Sequence, residues 1–162
     1  MSEKFIIDYS NIYDYIEDRI PYIFVDKAEI IDKKFAKGYK NFTNNEWFFP
    51  VHLPNKPIVP AAFQLECMTQ LAGLIIQSQK EELNSTHIVV KKYNEIEIYT
   101  PVVPGDRLYI EAEIVKFRRG IIQSKACTYT FNKYNEKNVH SIAEFQMVMP
   151  DILNSFSPKK DK

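Results

Sequence analysis

Residues 61–80, AAFQLECMTQLAGLIIQSQK, constrain the fold more than any other stretch of the chain. They contain no proline, favour helix and are apolar almost all round as far as Ile76. A helix without a broad polar stripe is buried on most faces rather than laid on a surface. Pro60 stands just ahead of its first turn, where a missing N–H is tolerated. Something must cover such a helix, and four strand-like runs follow it at 88–99, 108–117, 121–131 and 139–149. In the second, Leu108, Ile110, Ala112 and Ile114 alternate with Tyr109, Glu111 and Glu113. Ile96 and Ile98 oppose Glu95 and Glu97 in the first, and Ala143, Phe145 and Met147 share a face in the last. Pro104-Gly105-Asp106, Arg119-Gly120 and the Asn-rich stretch 132–138 are short turns that suit antiparallel neighbours. One buried helix covered by antiparallel strands is an α+β architecture.

The rest of the chain is less regular. Residues 11–19 (NIYDYIEDR) read as a short helix that Pro21 interrupts. An apolar run at 22–25 and an extended stretch at 29–42, turning near Lys33 and Lys34, precede the proline-rich segment. Residues 1–150 are expected to form a single domain and 151–162 a polar, frayed tail. Lys plus Arg number 21 and Asp plus Glu 21, so bulk attraction to nucleic acid or to an anionic membrane is not expected. No apolar run has the roughly 18 residues of a membrane span, and MSEKFIIDYS lacks the layout of a signal peptide. Cys67 and Cys127 have neither metal-ligand nor redox spacing. A soluble, cytoplasmic protein is the expectation.

Two residues stand out chemically. Pro50, Pro54, Pro57 and Pro60 stiffen the segment 44–60, and His52 lies within it, an imidazole that titrates where a general base should. A surface histidine is the alternative there. Glu66 and Gln70 share a helix face, with Gly73 further along the stripe. Burial would raise the pKa of Glu66 and let it hold a proton near neutrality. Pairing with a basic side chain, or reaching solvent at the helix edge, is the other reading. His87 and His140 fall in strand-like runs and read as structural, and no metal site or nucleophilic triad is suggested.

The stretch EWFFPVHLPNKPIVPAAFQLECMTQ, residues 46–70, resembles the signature of the FabZ-type 3-hydroxyacyl-acyl-carrier-protein dehydratases. Glu46, Phe48, Phe49, His52, Pro54, Pro57, Pro60, Glu66 and Gln70 fall in register with it, and the 66 − 52 = 14 residue spacing from His52 to Glu66 is that family's. RIPYIFVDK (19–27), KNFTNNE (40–46) and PVVPGDRLYIEAEIVKFRRG (101–120) extend the likeness over residues 19–150. The resemblance implies a hot-dog fold, a curled antiparallel sheet wrapped around one long central helix. It also implies a homodimer with shared active sites, often stacked into a trimer of dimers, and no metal or cofactor. The substrate implied is a 3-hydroxyacyl chain on the phosphopantetheine arm of acyl carrier protein.

Carried over on this resemblance, His52 is the base and Glu66 the acid, the backbone N–H of Ala61 serves the thioester oxygen, and Gln70 holds Glu66. Lys116, Arg118 and Arg119 are candidates for carrier or phosphopantetheine contact. The chain departs from the family where Val51, Asn55 and Ala61 replace glycines and Trp47 replaces a proline. Val51 is expected to resist a backbone angle that glycine allows. Asn94, Glu95, Glu97, Tyr99 and Thr100 stand where the family tends to carry basic residues. A catalytically weak acyl-binding or scaffolding hot-dog protein and a hot-dog acyl thioesterase are the alternative functions.

Overall fold

The computed structural model describes residues 5–83 and 87–156. Seven strands form one antiparallel sheet in the order β1-β2-β3-β5-β6-β7-β4. They are β1 (Phe5–Asp8), β2 (Lys27–Ile30), β3 (Phe35–Asn41), β4 (Val89–Ile98), β5 (Arg107–Arg118), β6 (Ile121–Phe131) and β7 (Lys137–Val148). The helix α1 (Ala61–Gln77) lies in their concave face, followed by the short α2 (Lys80–Leu83) and, after β7, α3 (Pro150–Ser155). This is the hot-dog arrangement.

The helix can lie so deep because the sheet beneath it is lined with small residues. Ala36, Ala112, Ala126 and Ala143 pair in one row across β3, β5, β6 and β7, and all are buried. Gly38 continues the trough: a Cβ there would come 2.8 Å from the Lys27 carbonyl oxygen and 3.1 Å from Leu71 Cδ1. Into the trough α1 places Cys67, Met68, Leu71, Leu74 and Ile75, each essentially inaccessible. Burying a side chain of that size contributes about 1.5–3 kcal/mol, so this contact dominates the stability of the fold.

One helix does not cover seven strands. Val90, Ile96 and Ile98 of β4 pair with Met147, Ala143 and Ser141 of β7, and those three partners are buried. Yet the β4 residues are each 42% exposed. The edge strand has apolar side chains on the concave side that the described residues leave partly uncovered.

Three expectations change. Residues 11–19 form only a single 3₁₀ turn, Ile12–Asp14. The Asn11 side chain binds back to the backbone at Asp8 and Ile6, and the Arg19 guanidinium holds the carbonyls of Ile16, Glu17 and Asp18, so no second turn follows. The alternating FIID of β1 pairs with β2 although no strand is expected there. The first residues of the supposed tail form α3, docked on the β5–β6 turn by the Met149 N–H to Gly120 carbonyl bond at 2.8 Å. Arg119 and Gly120 both have positive φ, +51° and +78°, as a two-residue hairpin of this hand demands. A Cβ on Gly120 would meet the Leu153 nitrogen at 2.7 Å. Residues 157–162 lie outside the described residues. No helix among those described is long and apolar enough to cross a membrane.

Candidate active site

His52 is held by the turns of the proline-rich segment. Phe48 and Phe49 are buried and anchor it, stacking with Phe42 and Phe63 at centroid distances of 6.1 and 4.9 Å for Phe48. The His52 and Val51 N–H groups both bond to the Phe48 carbonyl, and Val59 N–H ties the segment to the Val102 carbonyl at 2.8 Å. The half-buried ring places Nδ1 3.2 Å from the Ile58 carbonyl oxygen. A carbonyl can only accept, so Nδ1 carries the proton and Nε2 keeps its lone pair. That is the tautomer a general base needs.

Glu66 sits in the second turn of α1, half-buried, where burial pushes its carboxyl above the ordinary range. The Asp18 carboxylate adds to that rise, while hydrogen bonds from Gln70 and Tyr22 oppose it. Gln70 Nε2 donates to Glu66 Oε1 at 2.9 Å and to the Tyr22 carbonyl at 2.9 Å. Its Oε1 accepts from Phe24 N–H at 2.8 Å. Gln70 therefore bolts the segment at Tyr22–Phe24 to the helix and presents a donor to Glu66. Glu66, Gln70 and Gly73 line one cavity of about 290 Å³, closed on its far side by Asp18, His87 and Val90.

Ala61 opens α1, so its N–H precedes the first intrahelical bond and emerges at the positive end of the helix dipole. It lines a second cavity, of about 420 Å³, together with Leu53 and Ile58 from the His52 segment and Ile98, Tyr99 and Thr100 from the end of β4. Five residues of helix separate Ala61 from Glu66, about 7.5 Å along the axis and roughly 140° around it. In a single chain the Ala61 N–H and the His52 segment thus border one cavity and the Glu66 carboxyl group another.

Lys116, Arg118 and Arg119 come together around a cavity of about 240 Å³ at the β5–β6 turn. β5 starts beside the Ala61 end of the helix, and its 12 residues, at about 3.4 Å each, carry it to Arg118 at the opposite end of the sheet. Within one chain the basic cluster is remote from Ala61. The left-handed residue of the segment is Leu53, φ +53°, while the exposed Val51 takes no positive φ, in keeping with a β-branched residue's resistance to one. Trp47 packs against Phe48 and Phe63, each at 5.7 Å. Sequence reasoning missed Asp18, Tyr22 and His87, which reach Glu66 or its cavity from 48, 44 and 21 residues away along the chain. No spacing rule links an irregular segment to a helix, so only the fold reveals them. His140 is structural, as expected, its ring nitrogens bonding Thr100 and Thr130 hydroxyls at 2.8 and 2.9 Å.

Residues 18–145 match the family model of the FabA-like domain. The chain is 38% identical over 108 residues to the 3-hydroxyacyl-[acyl-carrier-protein] dehydratase FabZ of Clostridium novyi, covering 66% of this chain and 75% of that one. It is 32% identical over 152 residues to the enzyme of the same name from Yersinia pestis, covering 87% and 86%. Among solved structures, the dehydratase heterocomplex ApeI:P from Xenorhabdus doucetiae superposes with a TM-score of 0.71 over 86% of this chain and 90% of that one, at 11% identity, a likeness of fold. Sequence match and hot-dog architecture agree, and the chain belongs to the FabZ-type 3-hydroxyacyl-acyl-carrier-protein dehydratase family.

Proposed function

We propose that this FabZ-type dehydratase converts 3-hydroxyacyl thioesters to trans-2-enoyl thioesters and water, with His52 of one copy and Glu66 of a second copy in each site. His52 Nε2 takes the proton alpha to the thioester carbonyl. The electron pair of that C–H bond passes toward the carbonyl, whose developing negative charge is met by the Ala61 N–H. It then forms the C2–C3 double bond as the C3–O bond breaks, and Glu66 protonates the departing hydroxyl. Proton return from His52 to Glu66 through solvent restores both groups. In the fatty-acid or related acyl-chain pathway, no other reagent is required by these steps.

The observation that carries this reading is the division of the parts between two cavities at opposite ends of β4. The Glu66 cavity includes Val90, near its start, and the Ala61 cavity includes Ile98, at its end. Two copies paired antiparallel along β4 exchange those ends, which sets the Glu66 cavity of one beside the Ala61 cavity of the other. The same exchange carries Lys116, Arg118 and Arg119 of one copy toward the other copy's site. There they would meet the phosphate of a phosphopantetheine arm on acyl carrier protein. The apolar, unpaired edge of β4 is the surface such a homodimer would consume. The cytoplasm, where Cys67 and Cys127 remain thiols, is the setting we assign.

The test is turnover of a 3-hydroxyacyl-carrier thioester, followed by enoyl absorbance, and hydration of a crotonyl thioester in the reverse direction. Both should proceed. Failure in both directions would refute the dehydratase, and release of free thiol instead would identify a thioesterase.

A further inference from the structure

Both oxygens of the Glu66 carboxyl are engaged, and by partners of different kinds. Gln70 is fixed by three bonds whose polarity allows one orientation of its amide: the oxygen faces the Phe24 N–H, and the nitrogen faces the Tyr22 carbonyl and Glu66 Oε1. An amide nitrogen only donates. Oε1 therefore remains an acceptor whatever the charge of Glu66, and the transferable proton must reside on Oε2. The group opposite Oε2 is the Tyr22 hydroxyl, 3.4 Å away. Tyr22 is itself located by the same amide, through its carbonyl, and by its ring, edge-on to Phe24 at 5.3 Å. Glu66, Gln70 and Tyr22 thus close a ring of hydrogen bonds between α1 and the segment before β2.

We propose that Tyr22 is a positioning residue for the acid: its hydroxyl faces Oε2 and keeps the proton-bearing oxygen turned toward the reacting hydroxyl through both charge states of Glu66. A phenol can do this because it donates to Oε2 of the carboxylate and, once Glu66 is protonated, to the lone pair left on Oε2, so that the acid O–H stays free for the substrate. Gln70 cannot, because its donor is committed to Oε1. No bond is made or broken at Tyr22, and its proton stays on the phenol. This assignment rests on the reading of Glu66 as the acid.

Charged and titratable groups surround the carboxyl from each side. Asp18 and Glu17 come from the segment before Pro21, His87 from ahead of β4 and Tyr93 from β4 itself. Asp18 and Tyr22 act in opposite senses on Glu66, the carboxylate disfavouring its charge and the phenol favouring it. Glu66 must be protonated to act, so activity falls as pH rises through its pKa. Removing the phenol should move that limb of the kcat profile to higher pH, and removing the Asp18 charge should move it lower.

Tyr22→Phe keeps the ring and its packing. The expected result is a fall of about tenfold in the plateau kcat, as for losing a hydrogen bond to a charged group, with KM unchanged within roughly twofold and the basic limb displaced upward. Asp18→Asn should displace that limb downward, and Glu66→Gln serves as the control. A Tyr22→Phe enzyme with wild-type kcat and an unmoved limb, beside an inactive Glu66→Gln, would overturn the role of Tyr22 alone. An active Glu66→Gln would overturn the reading of the acid beneath it. A melting temperature matching wild type is expected for Tyr22→Phe, and a loss of activity only in proportion to lost folded protein would count against positioning.

Discussion

Glu66→Gln is expected to lower kcat by about a thousandfold, the scale of a lost general acid, without lowering the melting temperature near neutral pH. Gln can keep the Gln70 contact through its amide oxygen and offers Tyr22 an amide in place of Oε2. What it removes is a charge that the fold disfavours. Burial, then the Asp18 carboxylate, raises the folded-state pKa above the unfolded value. The folded chain therefore holds this proton to higher pH than the unfolded chain does. Stability falls as pH climbs through the unfolded value and stays reduced above the folded one. Glu66→Gln should thus gain on wild type from acid toward neutral pH. Thermal melts over a pH series, beside turnover, check this. A variant that loses several degrees and activity together would make Glu66 a structural residue instead.

The second large effect concerns the edge of the sheet. Ile96→Lys is expected to convert the proposed homodimer to monomers and to cut turnover by at least a hundredfold. Ile96 lies on the concave side of β4, opposite the buried Ala143, yet 42% of its surface is open. A lysine there keeps a strand-compatible backbone while placing a charge where a second copy would bury it, a device natural edge strands use against pairing. The core beneath α1 is untouched, so the monomer should remain folded. Mass by light scattering and turnover on the same sample decide the matter. Monomers with full activity would put a complete site in one chain, contrary to the division seen between the two cavities.

What could be read from residues alone was set by local rules. The all-apolar character of 61–76 announced a buried helix, and it runs Ala61–Gln77. The alternation of Leu108 to Ile114 announced which side chains face it, and those four are buried. Helix spacing put Gln70 beside Glu66, and the amide is 2.9 Å from the carboxyl. What stayed hidden depends on long-range placement. Ile96 and Ile98 alternate like core residues, but their burial depends on cover that one helix does not extend to the edge strand. The trough of Ala36, Ala112, Ala126 and Ala143 exists only through strand register. Tyr22 reads as part of an apolar run, because its hydroxyl acquires meaning 44 residues later, at Glu66. The left-handed conformation at Leu53 carried no signal, because leucine is not a residue that marks a positive φ.

Mixing two inactive variants tests the central claim, that His52 and Glu66 act across two copies. His52→Ala supplies an intact Glu66 and Glu66→Gln an intact His52. Combined in equal amounts and allowed to exchange subunits, half the dimers should be mixed, and each mixed dimer should hold one complete site of two. The account predicts recovery to about a quarter of wild-type turnover. No recovery at any mixing ratio, with exchange verified by mass, would contradict it.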